Sequence, residues 1–200
     1  MKLYDISQEI LEGAVYPGDP VPEKKLLSSM EEGDLYNLTA FSMCAHNATH
    51  VDAPRHFLAD GKTVDRLPLS KTVGDAVVVS CSGVLDEQGA KEVLALAEAL
   101  GGQVVRRLLL KGNAVVTPEA AEIFALYGLD LLGTELQSVG AIDAPMAAHL
   151  ALLSREVVLL EGVRLREVAE GRYFLCAAPL LLGGSDGAPC RALLIDFSKK

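Results

Sequence analysis

The sequence predicts a mixed α/β domain built around a substantial, partly antiparallel β-sheet. Segments rich in β-branched and aliphatic residues outnumber the segments whose apolar residues recur at helical spacing. The two kinds of segment do not alternate as a regular βαβ series would, so a purely parallel sheet is not expected. The chain has 200 residues, of which 50% are hydrophobic, which excludes intrinsic disorder. We therefore predict a single domain over residues 1–200.

In the first half of the chain, strands dominate and one helix is expected. The predicted elements are strands at 3–7, Leu35–Met43 and Asp75–Cys81, a loop at 13–22, and a helix at Lys91–Leu100. The loop contains three prolines, and β-branched or loosely alternating residues are typical of the strands. The helix has apolar residues at helical spacing and is followed by two glycines, which are a stop signal.

In the second half, strands and helices are interleaved. The predicted strands are Val104–Leu110, Leu129–Leu132, Glu156–Leu160, Arg172–Ala178 and Arg191–Phe197. Two helices are predicted: one begins at Thr117, and the other covers Pro145–Ser154. Thr117-Pro118-Glu119 combines a hydroxyl cap, a proline at the first helical position and an acid near the positive end of the helix dipole. This helix is expected to end near Tyr127-Gly128. The glycine-rich loop at 183–187 lacks the lysine and helix of a phosphate-binding loop, which predicts a turn.

Charge and composition exclude several classes of partner. Lys and Arg number 18 and Asp and Glu 27, for a formal net charge of −9, and no basic run is present to bind nucleic acid. No apolar run reaches the length of a membrane span, and the first residues are too acidic for a signal peptide. We expect a cytoplasmic protein without a membrane partner. The four cysteines, Cys44, Cys81, Cys176 and Cys190, occur singly, so we expect them to be reduced and buried as small hydrophobic residues.

Three of the four histidines lie between positions 46 and 56. His46, His50 and Asp52 offer two imidazoles and a carboxylate, which suit zinc or manganese. In an ideal helix Asp52 would point about 120° away from His46. In an ideal strand the two histidines would be about 13 Å apart. We therefore predict a bent loop that turns the three ligands inward, with the small Ala48 leaving room for an ion. The alternative is a chance cluster of surface histidines. The concentration of three of the four histidines in eleven residues argues against this alternative.

The segment 45–57, AHNATHVDAPRHF, resembles the HxGTHxDxPxH motif of the cyclase family of metal-dependent hydrolases, which includes bacterial kynurenine formamidases and isatin hydrolases. Further segments resemble the same family in the same order: Tyr16–Pro20, Gly61–Leu69, His149–Leu153, Glu161 and Asp186–Arg191. The resemblance implies a swivelling β/β/α domain with a mixed, barrel-like β core and flanking helices. It also implies a homodimer or homotetramer.

The resemblance implies a site for two divalent metal ions, with zinc expected and manganese as the alternative. His46 and His50 would bind the first ion, and Asp52 would bridge both ions. His149 would bind the second ion, with Glu161 contacting one or both. These five residues come from three separate parts of the chain, so the fold must bring them together.

Five more positions have expected roles near these ligands. His56 is implied as the proton donor and acceptor; the alternative is that it only hydrogen-bonds a carboxylate. Ala48 replaces the motif's glycine, which tolerates backbone conformations that alanine does not. Tyr16 stands where kynurenine formamidases place a tryptophan against the substrate ring, and a tyrosine can still stack there. Thr49 and Ser138 either bind substrate or cap turns.

The resemblance implies hydrolysis of a C–N bond in a small molecule, by a metal-activated water that attacks an amide carbonyl. The expected reaction is that of an arylformamidase, which converts N-formylkynurenine to kynurenine and formate. One alternative is ring opening of isatin or another cyclic imide. The other is a non-catalytic metal-binding domain, against which His56 argues because a passive site has no use for a proton shuttle.

Overall fold

The computed structural model describes residues 1–102 and 104–198, so Gln103 and the last two residues of the predicted domain lie outside the described residues. The described ranges contain thirteen β-strands and three α-helices. The strands are β1 Lys2–Asp5, β2 Glu23–Ser28, β3 Leu38–Ser42, β4 His50–Asp52, β5 Val73–Ser80, β6 Gly83–Leu85, β7 Arg107–Lys111, β8 Ala114–Val116, β9 Leu131–Thr134, β10 Val158–Glu161, β11 Gly171–Cys176, β12 Gly187–Pro189 and β13 Leu193–Asp196. The helices are α1 Glu87–Gly101, α2 Pro118–Tyr127 and α3 Met146–Leu153.

Nine of these strands form one mixed sheet in the order β1-β13-β11-β5-β7-β9-β10-β4-β12. The central strands β5, β7, β9 and β10 are parallel, and every other neighbouring pair in this sheet is antiparallel. The strands β2 and β3 form a separate antiparallel hairpin, and β6 and β8 form a short parallel pair. The prediction of a mixed α/β domain with a partly antiparallel sheet is confirmed.

The sheet is curled into a half-barrel and buries both of its faces. One face packs under the three helices, with Leu108 and Leu159 among its buried residues. On the other face, Leu194 of β13 shares a hydrophobic cluster with Leu160 of β10. Because four strands separate β13 from β10 in the sheet, they can share a core only if the sheet bends back on itself. The barrel-like β core with flanking helices is therefore confirmed.

The helices begin and end at residues whose local chemistry explains their limits. The side chain of Thr117 accepts a hydrogen bond from the backbone N–H of Ala120, and Gly128, at φ 87°, ends α2 as predicted. Helix α1 begins four residues before its predicted start because the carboxylate of Asp86 caps it by accepting from the N–H of Gly89. Gly102 ends α1 in the left-handed conformation that glycine allows.

Some features differ from the sequence predictions. The strands β2, β4, β6, β8 and β12 were not predicted; the last four have only three residues each, too few to show a periodic pattern. All four cysteines are free, as expected, but they are only partly buried. No helix in the described part of the chain has both the length and the apolar character needed to cross a bilayer.

Candidate metal centre

Strand β4, next to the edge strand β12 of the large sheet, carries two of the predicted ligands. It lies between β10 and β12, and His50 is directly opposite Glu161 of β10. Opposite residues of an antiparallel pair share a face, and alternate residues of a strand point the same way. His50, Asp52 and Glu161 therefore share the face on which the helices pack, and His149 of α3 reaches the same place.

The chain turns sharply just before β4, which brings His46 back towards the strand. Ala48 lies in this turn at φ 58°, the left-handed region where the family motif has glycine. The predicted bend is therefore present, although His50 and Asp52 lie on a strand rather than in the loop. The methyl group of Ala48 lies against Gly13, where a Cβ atom would be 2.7 Å away, so the close packing here also requires a small residue.

The five predicted ligands converge on one buried cluster. The Nδ1 atom of His46 is 2.8 Å and the Nε2 atom of His50 is 3.3 Å from Oδ1 of Asp52. The Nε2 atom of His50 is 3.5 Å from Oε2 of Glu161, and that of His149 is 3.5 Å from Oε1 of the same residue. His149 Nε2 also lies 3.7 Å from Oδ2 of Asp52. All but His46 are at least 95% buried.

Backbone carbonyl groups fix which ring nitrogen of two histidines faces the cluster. The Nδ1–H of His50 donates to the carbonyl oxygen of Ala48 at 3.1 Å. The Nδ1–H of His149 donates to the carbonyl oxygen of Pro145 at 2.8 Å. In the neutral rings Nε2 is then left as an electron-pair donor directed at the carboxylates. Metal-binding histidines are held in this way, because the second nitrogen's hydrogen bond sets the tautomer.

A divalent metal ion fits this donor set. The Oδ2 atom of Asp52 is buried and has no hydrogen-bond partner among the described residues. An unpaired carboxylate oxygen in a protein interior is unfavourable, and a coordinated cation would satisfy it. Candidate donor atoms lie within 4.8 Å of one another in the set of His46, His50 and Asp52, and in the set of Asp52, His56 and His149. Imidazole and carboxylate donors together favour zinc or manganese.

The electrostatics of the cluster favour positive charge. Burial alone would lower the pKa of His50, but hydrogen bonds to Asp52 and Glu161 raise it to about 10. Burial would raise the pKa of Asp52, but hydrogen bonds from His46 and His50 hold it well below its usual range. The pKa of His149 is also raised, because its contact with Glu161 outweighs its burial. Asp52 is therefore ionised, in a pocket suited to cations.

His56 stands beside the cluster and contacts a carboxylate that the sequence analysis did not assign to the site. Its ring stacks on that of His46 with centroids 3.9 Å apart. Its Nδ1 lies 3.1 Å from Oδ2 of Asp186, and Nε2 of His46 lies 2.8 Å from the same oxygen. Asp186 begins the DGAP segment whose family resemblance is evident in the sequence, but nothing in the sequence connects it with His46 and His56.

The cluster opens into a cavity of about 440 Å³. Tyr16 lies on its wall and donates its hydroxyl proton to the carbonyl oxygen of Ile142 at 2.6 Å. Phe57 lies against His149 with ring centroids 4.6 Å apart, which adds an apolar surface. Ser138 also lines this cavity. Thr49 does not: its hydroxyl donates to the carbonyl oxygen of Gly162 and accepts from the N–H of Gln8, which is a structural role.

Comparisons with known proteins agree with this geometry. A kynurenine formamidase from Bacillus cereus is 36% identical over 204 residues, covering 95% of each chain. A solved structure described as a potential metal-dependent hydrolase with cyclase activity superimposes with a TM-score of 0.79, at 28% identity and over 96% of each chain. An isatin hydrolase bound to the product analogue thioisatinate gives a TM-score of 0.81 at 19% identity, over 96% of this chain and 91% of that one, which shows a shared fold.

A family model described as putative cyclase matches residues 4–141. This match includes the segment with His46, His50, Asp52 and His56, and the relatives extend the similarity over nearly the whole chain. The fold of the solved structures agrees with both findings. The chain therefore belongs to the cyclase family.

Proposed function

We propose that this protein is a divalent-metal-dependent hydrolase of the C–N bond in a small aryl formamide, with N-formylkynurenine as the substrate. The observation that carries the proposal is the convergence of imidazole and carboxylate groups around the unpaired, buried Oδ2 atom of Asp52. Kynurenine formamidase is the name of the similar protein from Bacillus cereus, and its similarity covers this chain almost from end to end. The products would be kynurenine and formate.

We propose that the site holds two divalent ions. Zinc is the expected metal, and manganese is the alternative. His46 and His50 would bind one ion, His149 would bind the other, Asp52 would contact both, and Glu161 would contact one or both. When bound, such ions polarise a carbonyl oxygen and lower the pKa of water. The support for Asp52 as the shared ligand is that its two oxygens face different histidines, Oδ1 towards His50 and Oδ2 towards His149.

We propose His56 as the general acid and base of this reaction. Its Nδ1 faces Asp186, so in the neutral ring Nε2 is free to accept a proton from the attacking water. Attack of the water forms the new C–O bond and gives a tetrahedral intermediate. As the carbonyl group re-forms, His56 donates the proton to the nitrogen while the C–N bond breaks, so that formic acid and a neutral aromatic amine are released. Without this proton the amine would have to leave as a high-energy anion.

We propose that Tyr16 stacks on the aromatic ring of the substrate. The tyrosine lies on the wall of the cavity, and its hydroxyl group is already bonded to the backbone at Ile142. This bond limits the orientation of the ring and leaves its face as the available contact. The cavity, at about 440 Å³, is of the size that binds small molecules.

We propose that the protein forms a homodimer or homotetramer through the β2–β3 hairpin. Both strands of the hairpin are exposed over nearly their whole length. A two-stranded hairpin alone is only marginally stable in water, and this one exposes large apolar side chains, which are Leu26, Leu27, Met30, Leu35, Tyr36, Leu38 and Phe41. A second copy would cover them. Light scattering of the protein with Leu35 and Phe41 changed to Ser would show a smaller species.

We also propose a cytoplasmic location for this enzyme. All four cysteines are free. Cys176 and Cys190 form no disulfide, although they lie close enough that Cys176 adds to the effect of burial in raising the pKa of the Cys190 thiol. Free cysteines of this number are typical of a reducing compartment.

The experiment that tests the proposed activity compares three substrates with protein loaded with zinc or manganese. N-formylkynurenine, isatin and formanilide would be offered separately, and we expect hydrolysis of N-formylkynurenine. His56→Ala should lower kcat about 10²- to 10⁴-fold while elemental analysis shows the metal still bound. Arg55→Ala changes an exposed residue of the short 3₁₀ helix Pro54–His56 that also carries His56; it is the matched control and should retain activity.

Other outcomes would favour the alternatives. Turnover of isatin alone would show a ring-opening hydrolase and contradict the formamidase assignment. No turnover of any of the three substrates by metal-loaded protein would favour a non-catalytic metal-binding domain. Equal activity of the wild-type protein and His56→Ala would contradict the role proposed for His56.

A further inference from the structure

We propose that Asp186 is a positioning residue that holds a metal-ligand imidazole and the proton-transfer imidazole in fixed orientations with a single carboxylate oxygen. This inference rests on the proposed function and adds a residue to it. Asp186 lies far along the chain from His46 and His56, in the loop that leads into β12. Its role therefore depends entirely on the fold.

Both histidines direct a ring nitrogen at the same atom. The Nε2 atom of His46 is 2.8 Å and the Nδ1 atom of His56 is 3.1 Å from Oδ2 of Asp186. An ionised carboxylate can only accept hydrogen bonds, so a neutral His56 ring must carry its proton on Nδ1. His46 has a carboxylate at each ring nitrogen; when its Nδ1 binds a metal ion beside Asp52, its proton must lie on Nε2, facing Asp186. One carboxylate oxygen has enough lone-pair capacity to accept from both rings.

The proton positions that follow are the ones that the proposed chemistry requires. With its proton on Nε2, His46 keeps an electron pair on Nδ1, which lies 2.8 Å from Oδ1 of Asp52 in the metal cluster. With its proton on Nδ1, His56 keeps an electron pair on Nε2 for proton transfer. Asp186 thus sets the tautomer of a ligand and of a base at the same time, and the two rings stack with centroids 3.9 Å apart and planes inclined by 28°.

The backbone around Asp186 is anchored to the segment that carries the histidines. The carbonyl oxygen of Asp186 accepts from the N–H of Ala53, at 2.9 Å, and that of Ser185 accepts from the N–H of Val64. The N–H of Gly184 donates to the side chain of Asp65. These bonds hold the carboxylate in place before any ligand arrives, which is what a positioning residue needs.

A different role for Asp186 is as a metal ligand itself, because donor atoms of His46, His56 and Asp186 also lie within 4.8 Å of one another. The contacts favour positioning, since His46 faces Asp186 with the ring nitrogen opposite to the one that faces Asp52 in the buried cluster. The number of bound ions distinguishes the two roles. Loss of a ligand for an additional ion would lower the metal content of the saturated protein, whereas loss of a positioning residue would lower only affinity.

The test compares Asp186→Ala, which removes the acceptor, with Asp186→Asn, which keeps an acceptor oxygen without the charge. Asp65→Asn is the matched control, because Asp65 anchors the same loop without touching a histidine. Long-range ¹H–¹⁵N spectra of histidine-labelled protein with zinc at pH 8 report the tautomers directly. Zinc affinity is measured by competition with a chelator, and kcat and KM are measured separately.

We expect Asp186→Ala to change the tautomer signature of His56, weaken zinc binding about 10- to 100-fold and lower kcat with little change in KM. Asp186→Asn should restore part of each loss, and Asp65→Asn should change none of them. Unchanged tautomers and zinc affinity in the alanine variant would overturn the proposal, as would a lower number of zinc ions at saturation. If the alanine variant fails to fold, the asparagine variant decides: wild-type tautomers with wild-type zinc affinity and kcat would overturn the proposal.

The spectra and the zinc titration do not depend on turnover. If the wild-type protein hydrolyses none of the three substrates, the proposed function fails while these two measurements still decide the role of Asp186. If the wild-type protein is active and the variants retain wild-type tautomers and affinity, the inference about Asp186 fails and the proposed function stands.

Discussion

Gly187 lies so close to the imidazole of His46 that any side chain at this position would displace the ring. A Cβ atom built on Gly187 would be 2.6 Å from Cε1 and 3.2 Å from Nδ1 of His46, and 2.8 Å from the carbonyl oxygen of Val51. The ring is already fixed between Asp52 and Asp186 by hydrogen bonds of 2.8 Å on each side. Its position thus depends on the absence of a single methyl group.

Gly187→Ala is therefore expected to weaken metal binding. The new methyl group would push the His46 ring out of line with Asp52, and we expect zinc affinity to fall at least about 10-fold. Competition with a chelator measures this change. Gly183→Ala is the control, because a Cβ at Gly183 meets no atom within 4 Å and should leave zinc affinity unchanged. Equal zinc affinity of the two variants would contradict the prediction.

Ala48 and Gly13 are expected to be coupled in stability. The left-handed backbone of Ala48 costs about 1–2 kcal/mol, but its buried methyl group contributes about 0.8 kcal/mol and glycine is more flexible when unfolded. These effects nearly cancel, so Ala48→Gly should change the free energy of unfolding by less than about 1 kcal/mol. Alanine is therefore tolerated at this position, although the family motif has glycine there.

Gly13→Ala should destabilise the protein by about 1–3 kcal/mol, because its Cβ would lie 2.7 Å from both the Cβ of Ala48 and the carbonyl oxygen of Glu9. Combining it with Ala48→Gly should restore part of this loss, since the contact with Glu9 remains. Urea unfolding of the two single variants and the double variant measures the coupling. Strictly additive effects would contradict the contact.

Zinc binding is expected to release protons and to strengthen as the pH rises. In the metal-free protein the pKa of His50 is about 10, because contacts with Asp52 and Glu161 outweigh its burial, so this ring is cationic at pH 7. A metal ion must displace that proton, and apparent zinc affinity should rise from pH 6 towards pH 10. Calorimetry in two buffers of different ionisation enthalpy measures the protons released. Identical heats in the two buffers would contradict the prediction.

Metal-free and zinc-loaded protein should also respond differently to alkaline pH. The raised pKa of His50 gives a stabilising contribution that is complete below pH 6.5 and is lost as the pH rises through about 10. The melting temperature of the chelator-treated protein should therefore fall between pH 7 and pH 10. The difference in melting temperature between the zinc-loaded and metal-free forms should widen over the same range.

Tyr16→Ala is expected to raise KM for N-formylkynurenine about 3- to 10-fold with little change in kcat. Loss of stacking on the substrate ring removes an interaction of about 0.5–1.5 kcal/mol that is present before and during the reaction. Tyr16→Phe keeps the ring and removes only the hydrogen bond to Ile142, so its KM should stay close to the wild-type value. A lower kcat with unchanged KM in the alanine variant would contradict stacking as the role of Tyr16.

Much of this fold could be predicted because the relevant signals are local. Thr117 and Gly128 limit α2 through hydrogen bonds with residues three apart, so the sequence contains the whole signal. The histidine cluster is also local, and the resemblance added His149 and Glu161. Strand β4 could not be predicted, because its three residues are held by β10 and β12, which lie far along the chain.

The same reason explains why Asp186 was missed as part of the site. An aspartate followed by glycine in a loop is typical of an ordinary turn. Only the pairing of β12 with β4 places it beside His46 and His56. For Ala48, in contrast, the sequence did indicate an unusual conformation, because the family motif has glycine at this position. The structure shows the left-handed backbone directly, with a φ of 58°.

The order of strands in the sheet also has a consequence for how the protein is made. Strand β4 leaves the ribosome early, yet both of its neighbours, β10 and β12, follow only after more than 100 further residues have been synthesised. Pairing over such a distance carries a large loop-closure entropy and is slow. His50 and Asp52 therefore acquire their final surroundings late in biogenesis, and a nascent chain has to protect an unpaired, apolar Val51 until its neighbours arrive.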